Sequence, residues 1–171
     1  MLGAYCSEKV RRYDCVDACE QTCKGLEKVK DKFSEIIRGK EVNVKFGAFE
    51  DNSVEEGFYD MVFTSTPYFL KEHYSDDATE SCNRYSKYDD WRNGFLKPFV
   101  EKSFRCLKKG GAFAVNIDDV KIGSKVYALQ NDFVEMATEC GFTMKERLFM
   151  KSRNRYVGTQ SGEPIFVMLK Q

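Results

Sequence analysis

Short apolar runs alternate with amphipathic stretches along the chain, and this pattern predicts an α/β fold. Residues 13–18, 41–46 and 59–64 form compact apolar or alternating runs, which are typical of strands. Apolar positions recur about every 3.6 residues over 19–37, which predicts an amphipathic helix that Gly39 would close. The first half of the chain is therefore expected to form strand, helix, strand and strand.

The second half continues the alternation with two further helices and three further strands. We expect a helix over 89–107 that Pro98 kinks or divides, a strand over 112–117, a helix over 125–140 that Gly141 caps, and strands over 142–150 and 164–170. This order predicts an open, mostly parallel sheet whose last two strands form an antiparallel hairpin. Neither a linker nor a repeat divides it, so we expect one domain over 1–171.

Composition limits where the protein works and what it binds. With 171 residues, of which 42% are hydrophobic, the chain can form one ordinary core. The 27 basic residues balance the 27 acidic ones, so any contact with nucleic acid must be local. The sequence has neither an 18-residue apolar stretch nor a signal peptide pattern at its start, so we expect no membrane association and an intracellular, cytoplasmic or nuclear, location.

The cysteines favour free thiols over disulfides or a metal site. The chain has seven cysteines, an odd number, dispersed through predicted strands and helices. Cys15, Cys19 and Cys23 are spaced C-x3-C-x3-C, which differs from the paired C-x2-C spacing of zinc sites. The single histidine, His73, cannot form a histidine site alone, so we expect no bound metal.

Polar residues stand at the carboxyl ends of several predicted strands, where open α/β sheets bind ligands. Asp17 ends the first strand, and an acid in such a place often binds a ribose hydroxyl pair. The alternative is that Asp17 only caps the following helix. Glu50 follows the second strand, and Asn116 ends a later one.

The stretch TSTPYF, residues 64–69, is the most informative strand end. Pro67 makes the backbone rigid, Ser65 offers a hydroxyl, Thr66 offers a carbonyl, and the rings of Tyr68 and Phe69 offer exposed flat faces. Two acceptors beside a ring suit a planar base with an exocyclic amine, because they can bind the amine hydrogens while the base stacks. The alternative is a simple turn with aromatic residues in the core.

With these residues in view, the sequence resembles the amino methyltransferases that use S-adenosylmethionine to modify adenine N6 or cytosine N4 in DNA. DMVFTSTPYF (60–69) is similar to their catalytic stretch, and CLKKGGAFAVNIDDV (106–120) to the strand that follows. The resemblance implies a Rossmann-like class I methyltransferase fold with S-adenosylmethionine as cofactor and DNA as substrate. It implies catalytic roles for Ser65, Thr66, Pro67 and Tyr68, although Thr66 replaces the first proline of the family motif.

The same resemblance assigns further residues to ligands. It places Asp17 at the cofactor ribose and Glu50 or Asp51 at the cofactor adenine. Nucleic acid would be contacted by Phe69 and by a basic cluster that could bind phosphates, although such clusters are often only solvated surface. The members of this cluster are Arg147, Lys151, Arg153 and Arg155.

One part of the family pattern is not found. The glycine-rich turn that cradles the cofactor should lie about 20 residues before the ribose acid, yet sixteen residues precede Asp17. We therefore expect the first sheet strand to be missing and the cofactor site to be incomplete. A strand that lacks its neighbour leaves backbone groups unpaired, so we expect either that something replaces it or that the chain associates, as a homo-oligomer or with a complementing N-terminal polypeptide.

Three functions remain open at this point. The first is methyl transfer to adenine or cytosine in DNA, impaired if the cofactor site is truncated. The second is a catalytically silent methyltransferase-like domain that acts as a subunit or binding module. The third is methyl transfer to RNA or to a protein glutamine, for which a similar tetrapeptide is used.

Overall fold

The computed structural model describes residues 1–37, 39–150 and 162–171, which form two compact units. One unit comprises Met1–Asn52 and Tyr74–Arg84, and the other Ser53–His73 and Tyr85–Gln171. Each has its own strands and its own buried residues. The expectation of one domain over the whole chain stays a prediction.

The first unit is a β-α-β arrangement with two short helices added. Its elements are α1 (Leu2–Cys6), β1 (Arg12–Asp17), α2 (Glu20–Lys32), β2 (Glu41–Phe46) and α3 (Ser81–Arg84). Strands β1 and β2 pair in parallel, from Arg12 opposite Glu41 to Asp17 opposite Phe46. Because the strands are parallel, Asp17 lies at the edge of the sheet where both strands end.

Helix α2 is shorter than the sequence pattern predicts. It ends at Lys32, and residues 33–37 form turns instead of continuing to Gly39. Ile37 is buried in a cluster with Tyr5 and Val42, whereas Ile36, which a continued helix would bury, is 51% exposed. Packing of Ile37 in this cluster thus prevails over the helical period. Gly39 does adopt a positive φ of 79°, as expected of a residue that reverses the chain.

The second unit has a four-stranded sheet, a hairpin and two longer helical segments. Its elements are β3 (Tyr59–Ser65), α4 (Tyr88–Trp91), a π-helical turn (Arg92–Leu96), α5 (Lys97–Cys106), β4 (Leu107–Asn116), β5 (Val120–Ile122), β6 (Lys125–Tyr127), α6 (Leu129–Glu139), β7 (Phe142–Met150) and β8 (Glu163–Lys170). The sheet order is β3-β4-β8-β7. β3 and β4 are parallel, and the other two pairs are antiparallel.

The predicted fold class is confirmed. Parallel pairs at β1–β2 and β3–β4 are combined with the expected antiparallel pairing of the two C-terminal strands, and helices separate the strands as in Rossmann-like proteins. Among the residues that the structure describes, β1 and β3 each have a strand partner on one side only. No helix in this part of the chain is both long and apolar enough to cross a membrane.

An aromatic cluster forms the core of the second unit. Phe113 of β4 is fully buried, and its ring centroid lies 5.4 Å from that of Phe99, 5.6 Å from that of Phe133 and 4.9 Å from that of Phe142. These rings come from α5, α6 and β7, so one side chain of β4 contacts three elements. The core thereby fixes the strand whose last residue is Asn116.

Two local elements depart from the sequence prediction. The helix predicted over 89–107 occurs at 88–106, and it is interrupted by the π-helical turn just before Pro98, which occupies the first turn of α5. Residues 125–127, predicted as the start of a helix, form strand β6 instead. Gly123 has a φ of 62° and reverses the chain there, so that β6 can pair with β5.

Candidate active site

Ser65 and Asn116 stand opposite each other at the ends of two parallel strands in the second unit. Ser65 is the last residue of β3, Asn116 is the last residue of β4, and the two are paired in register. Because parallel strands end at the same edge of the sheet, both side chains emerge together. The tetrapeptide of Ser65, Thr66, Pro67 and Tyr68 therefore begins directly beside Asn116.

The buried side chain of Asn116 is the centre of a hydrogen-bond network. Ser65 Oγ and Tyr68 Oη both donate to Asn116 Oδ1, at 3.0 Å and 2.9 Å. Asn116 Nδ2 donates to the carbonyl oxygen of Pro164 at 2.9 Å, and the asparagine is only 4% exposed. The sequence marked Asn116 as the end of a strand but did not assign it to the site, since its partners depend on strand register.

Thr66 is buried beside this network. Its backbone N–H donates to the backbone oxygen of Asn116 at 3.2 Å, and the residue is 2% exposed. The side-chain oxygen of Thr66 is buried and has no hydrogen-bond partner among the described residues. A buried hydroxyl without a partner costs free energy, so this position is not optimised for stability alone.

Replacing Thr66 with valine is expected to raise the free energy of unfolding by about 1 kcal/mol. Valine has a similar shape and removes the unpartnered hydroxyl, whose desolvation is uncompensated. Urea denaturation measures the change. Thr64→Val, two residues earlier in β3 and partly exposed, is the matched control and should stay within about 0.5 kcal/mol. A clear loss of stability in Thr66→Val would show that the hydroxyl is bonded in solution.

The two aromatic rings of the stretch are buried, so the expectation that they are exposed is wrong. Tyr68 is 3% exposed, and burial raises the pKa of its phenol. Its hydroxyl can be buried because Asn116 accepts its hydrogen. The Nζ atom of Lys71 lies 5.1 Å from the centroid of the Tyr68 ring, close enough for a cation–π contact.

Phe69, predicted to contact nucleic acid, lies in an aromatic cluster. It is 2% exposed, and its ring centroid lies 5.4 Å from that of Tyr88, 5.8 Å from that of Trp91 and 5.2 Å from that of Tyr127. Its φ of 52° is unusual for a residue with a side chain and turns the ring into this cluster. Packing of the Phe69 ring against these three rings explains why it is not available to a ligand in this conformation.

A cleft of about 440 Å³ lies next to the tetrapeptide within the second unit. Its lining includes the rings of Tyr88 and Tyr127 and charged residues of both signs, Lys87, Lys125, Asp89 and Asp90. The Nζ atom of Lys125 lies 4.6 Å from the centroid of the Tyr127 ring. The sequence did not predict this cleft, because the helical pattern over 125–127 concealed the strand pairing that brings these residues here.

Asp17 lies at the carboxyl end of β1 in the first unit, as predicted. Its Oδ1 accepts a hydrogen bond from the N–H of Cys19 at 2.9 Å. Cys19 itself is the N-cap of α2 and no side chain caps this helix, so the alternative interpretation of Asp17 as the helix cap is wrong. Burial raises the pKa of the Asp17 carboxyl, the Cys19 hydrogen bond lowers it, and the charge of Glu80 raises it further. A partly buried carboxylate at a strand end fits the hydroxyl groups of a ribose.

Glu50 and Asp51 share one cation, Arg84. The Nη1 atom of Arg84 lies 2.7 Å from Glu50 Oε1 and 2.9 Å from Asp51 Oδ2. The Glu50 side chain is 4% exposed and that of Asp51 63%. Of the two acids, Asp51 has the carboxylate that a ligand in solvent reaches more easily.

Only one member of the predicted phosphate-binding cluster falls within the described residues. Arg147, on β7, is exposed, donates to Gln130 and lies with its Cζ atom 5.0 Å from the Phe166 ring centroid. Lys151, Arg153 and Arg155 lie outside the described residues, and their role stays a prediction.

The cysteines carry free thiols. All seven lie in the described part of the chain, and none forms a disulfide. Within that part, no cluster of histidine, cysteine, aspartate and glutamate side chains could hold a metal ion.

The comparisons with known proteins identify the family. The model of the N6_N4_Mtase family, described as DNA methylase, matches residues 59–171, which is well over half of the chain. No curated protein sequence matches the chain. The chain belongs to the DNA methylase family, and this confirms the resemblance of its sequence to DNA amino methyltransferases.

Solved structures agree on the fold. TTHA0409 of Thermus thermophilus, described as a DNA modification methylase, is 18% identical with a TM-score of 0.51, over 73% of this chain and 50% of its own. PH0226 of Pyrococcus horikoshii is 12% identical with a TM-score of 0.59, over 94% and 72%. An S-adenosylmethionine-dependent methyltransferase of Methanosarcina mazei is 10% identical with a TM-score of 0.56, over 93% and 82%. The chain thus spans about half the length of TTHA0409.

Proposed function

From membership in the DNA methylase family, we propose that this chain transfers a methyl group from S-adenosylmethionine to the exocyclic amine of adenine or cytosine in DNA. The observation that carries the proposal is the position of the tetrapeptide of residues 65–68. It lies at the ligand-binding end of β3, inside the region that matches the family. DNA as substrate also supports the predicted intracellular, cytoplasmic or nuclear, location.

The roles of the tetrapeptide follow from its hydrogen bonds. Because the hydrogen of the Ser65 hydroxyl goes to Asn116, the lone pairs of Ser65 Oγ can accept from the amine of the target base. The Thr66 carbonyl is the second proposed acceptor, and Pro67 limits the backbone conformations that it samples. Two acceptors would hold the amine in the pyramidal geometry that frees its lone pair for the methyl group, and the amine would release one proton to solvent on transfer. S-Adenosylmethionine, when bound, supplies the methyl group activated by its sulfonium charge.

The proposed cofactor contacts lie in the first unit. Asp17 would accept hydrogen bonds from the ribose hydroxyls. The N–H of Cys19 occupies only part of its carboxylate, so further lone pairs remain for them. Asp51 or Glu50 would meet the adenine, and the exposure of Asp51 makes it the better candidate of the two. Neither assignment depends on a metal.

DNA would be held by aromatic and basic groups of the second unit. Tyr88 and Tyr127 line the cleft beside the tetrapeptide, and their rings suit stacking of a base that neighbours the one proposed to reach Tyr68. Arg147 is exposed on β7 and is the described member of the proposed phosphate-binding cluster. The other proposed members of that cluster are Lys151, Arg153 and Arg155.

Incubation with methyl-labelled S-adenosylmethionine and DNA tests the function. Mass spectrometry of the digested DNA should detect labelled N6-methyladenine or N4-methylcytosine, and Ser65→Ala should reduce the product. RNA and glutamine-containing peptides, offered in parallel, test the remaining methyltransferase alternatives. If no product forms, calorimetry with S-adenosylmethionine identifies the cause. Binding of the cofactor without product argues against DNA as the substrate, and absence of binding argues against an intact cofactor site.

A second candidate function is that of a catalytically silent subunit. The burial of Tyr68 favours it, and so does the outer edge of β3, which among the described residues has no strand partner on that side. Met61 and Phe63 on this strand are 55% and 66% exposed, which is unusual for large apolar side chains on one strand. An exposed apolar edge strand pairs readily with another chain.

The second copy of this chain is the occupant that we propose for the β3 edge. A twofold antiparallel pairing centred on Val62 would place Met61 of each copy opposite Phe63 of the other. Apolar side chains would then face each other, and no two side chains of like charge would be paired. The other edge strand, β7, carries Lys145, Glu146 and Arg147 and an irregularity in its register, and such features discourage pairing.

Light scattering after gel filtration is expected to give the mass of a dimer for the unmodified chain and of a monomer for Phe63→Lys. A lysine at that position would place a charge on each side of the pairing and oppose it. Phe149→Lys, a matched change on exposed β7, should leave the dimer intact. A monomeric unmodified chain, or a dimer lost only in Phe149→Lys, would overturn the assignment.

A further inference from the structure

We infer that Asn116 is a positioning residue that keeps the Ser65 hydroxyl in its acceptor state and holds the tetrapeptide at the sheet edge; this inference rests on the proposed function. The hydroxyl of a serine can donate or accept, and its hydrogen can rotate. An amine of the target base is a donor, so it needs a Ser65 oxygen whose hydrogen is directed elsewhere. Asn116 provides that direction.

The orientation of the Asn116 amide is fixed by its surroundings. The carbonyl of Pro164 can only accept, so the amide nitrogen of Asn116 must face it, as the 2.9 Å contact has it. The amide oxygen therefore faces Ser65 and Tyr68, and both hydroxyls must act as donors to it. Ser65 Oγ is left with lone pairs for a ligand, and Ser65 itself is exposed to solvent.

One residue thereby holds three members of the tetrapeptide. Its side chain binds Ser65 and Tyr68, and its backbone oxygen accepts the N–H of Thr66 at 3.2 Å. Strand pairing places Ser65 directly opposite Asn116, and the β8 segment that contains Pro164 pairs with β4 on the other side. The network thus connects three neighbouring strands at the edge where the reaction is proposed.

A double-mutant cycle between Ser65 and Asn116 tests the inference kinetically. Asn116→Ala is expected to lower kcat for methyl transfer to DNA by about fivefold, with a KM change of less than about twofold, because the loss concerns the orientation of an acceptor. In a Ser65→Ala background the same change should lower kcat by less than about 1.5-fold, since no hydroxyl remains to be oriented. Asn131→Ala, at an exposed position of α6, is the matched control and should have no effect.

Asn116→Asp is the second variant, because a loss in the alanine variant could also come from poor folding. Aspartate keeps an acceptor for both hydroxyls but can donate to the Pro164 carbonyl only when protonated. Its kcat should exceed that of Asn116→Ala, and the ratio of its kcat to that of the unmodified chain should fall as the pH rises, because aspartate titrates and asparagine does not. Equal kcat losses for the alanine change in both serine backgrounds, or an aspartate variant no better than alanine at every pH, would overturn the inference.

An unfolding cycle separates this inference from the proposed function. Ser65→Ala and Tyr68→Phe should each be non-additive with Asn116→Ala in the unfolding equilibrium, with a coupling of roughly fivefold. Additive changes would overturn the shared contact whether or not methyl transfer occurs. If the cycle is non-additive but the unmodified chain forms no labelled base, the hydrogen-bond network is confirmed. The proposed function is then wrong, and so is the role of Asn116 in catalysis.

Discussion

Replacing Phe113 with alanine is expected to lower the free energy of unfolding by about 3 to 5 kcal/mol. Phe113 is fully buried, and its ring contacts those of Phe99, Phe133 and Phe142. Alanine would leave a cavity among rings from three different elements, which cannot all move to fill it. The expected loss of stability is large because a whole buried ring is removed and its site stays open.

Denaturation by urea, followed by tryptophan fluorescence, measures this effect in the second unit. Trp91 is the only tryptophan of the chain, is fully buried and lies in the same unit as Phe113. Phe149→Ala is the matched control, because Phe149 stands on edge strand β7 of the same sheet but is 47% exposed. It should change the free energy by less than about 0.5 kcal/mol. A Phe113→Ala loss of the same small size would mean that this core is not packed as described.

Several strands could be predicted from the sequence because short apolar or alternating runs mark them. The apolar run at 59–64 became β3, and 41–46 became β2 without change. The helix α2 was overestimated because Ile36 and Ile37 fit the helical period, and only the cluster around Ile37 shows why the helix stops earlier. A local pattern cannot report a competing tertiary contact.

The site was predicted in part, for a comparable reason. Local motifs identified the tetrapeptide at the end of β3 and Asp17 at the end of β1, since strand ends are visible in the sequence. The role of Asn116 depends on its register opposite Ser65, which is set by long-range pairing. The burial of Tyr68 depends on the same pairing, because Asn116 accepts the phenol hydrogen that would otherwise need water.

The burial of Tyr68 leads to the prediction with the largest expected effect on activity. Tyr68→Ala should lower kcat/KM for methyl transfer to DNA by roughly 10- to 100-fold, because stacking of a base on an aromatic ring is worth about 1 to 3 kcal/mol. Tyr68→Phe keeps the flat face and loses the hydrogen bond to Asn116, so it should cost less than about fivefold. Initial rates on single-stranded DNA measure both variants below their unfolding temperatures.

The order of the two variants decides which part of Tyr68 acts on the substrate. The ring is 3% exposed and has Lys71 near one face, so a base can stack on it only if the residues around it move. Greater loss in alanine than in phenylalanine supports such a movement, because the face and not the hydroxyl is then needed. Tyr74→Ala, with a ring that is 68% exposed, controls for the loss of a surface tyrosine and should keep full activity. If phenylalanine is as damaging as alanine, Tyr68 contributes its bond to Asn116, and the proposed stacking contact is wrong.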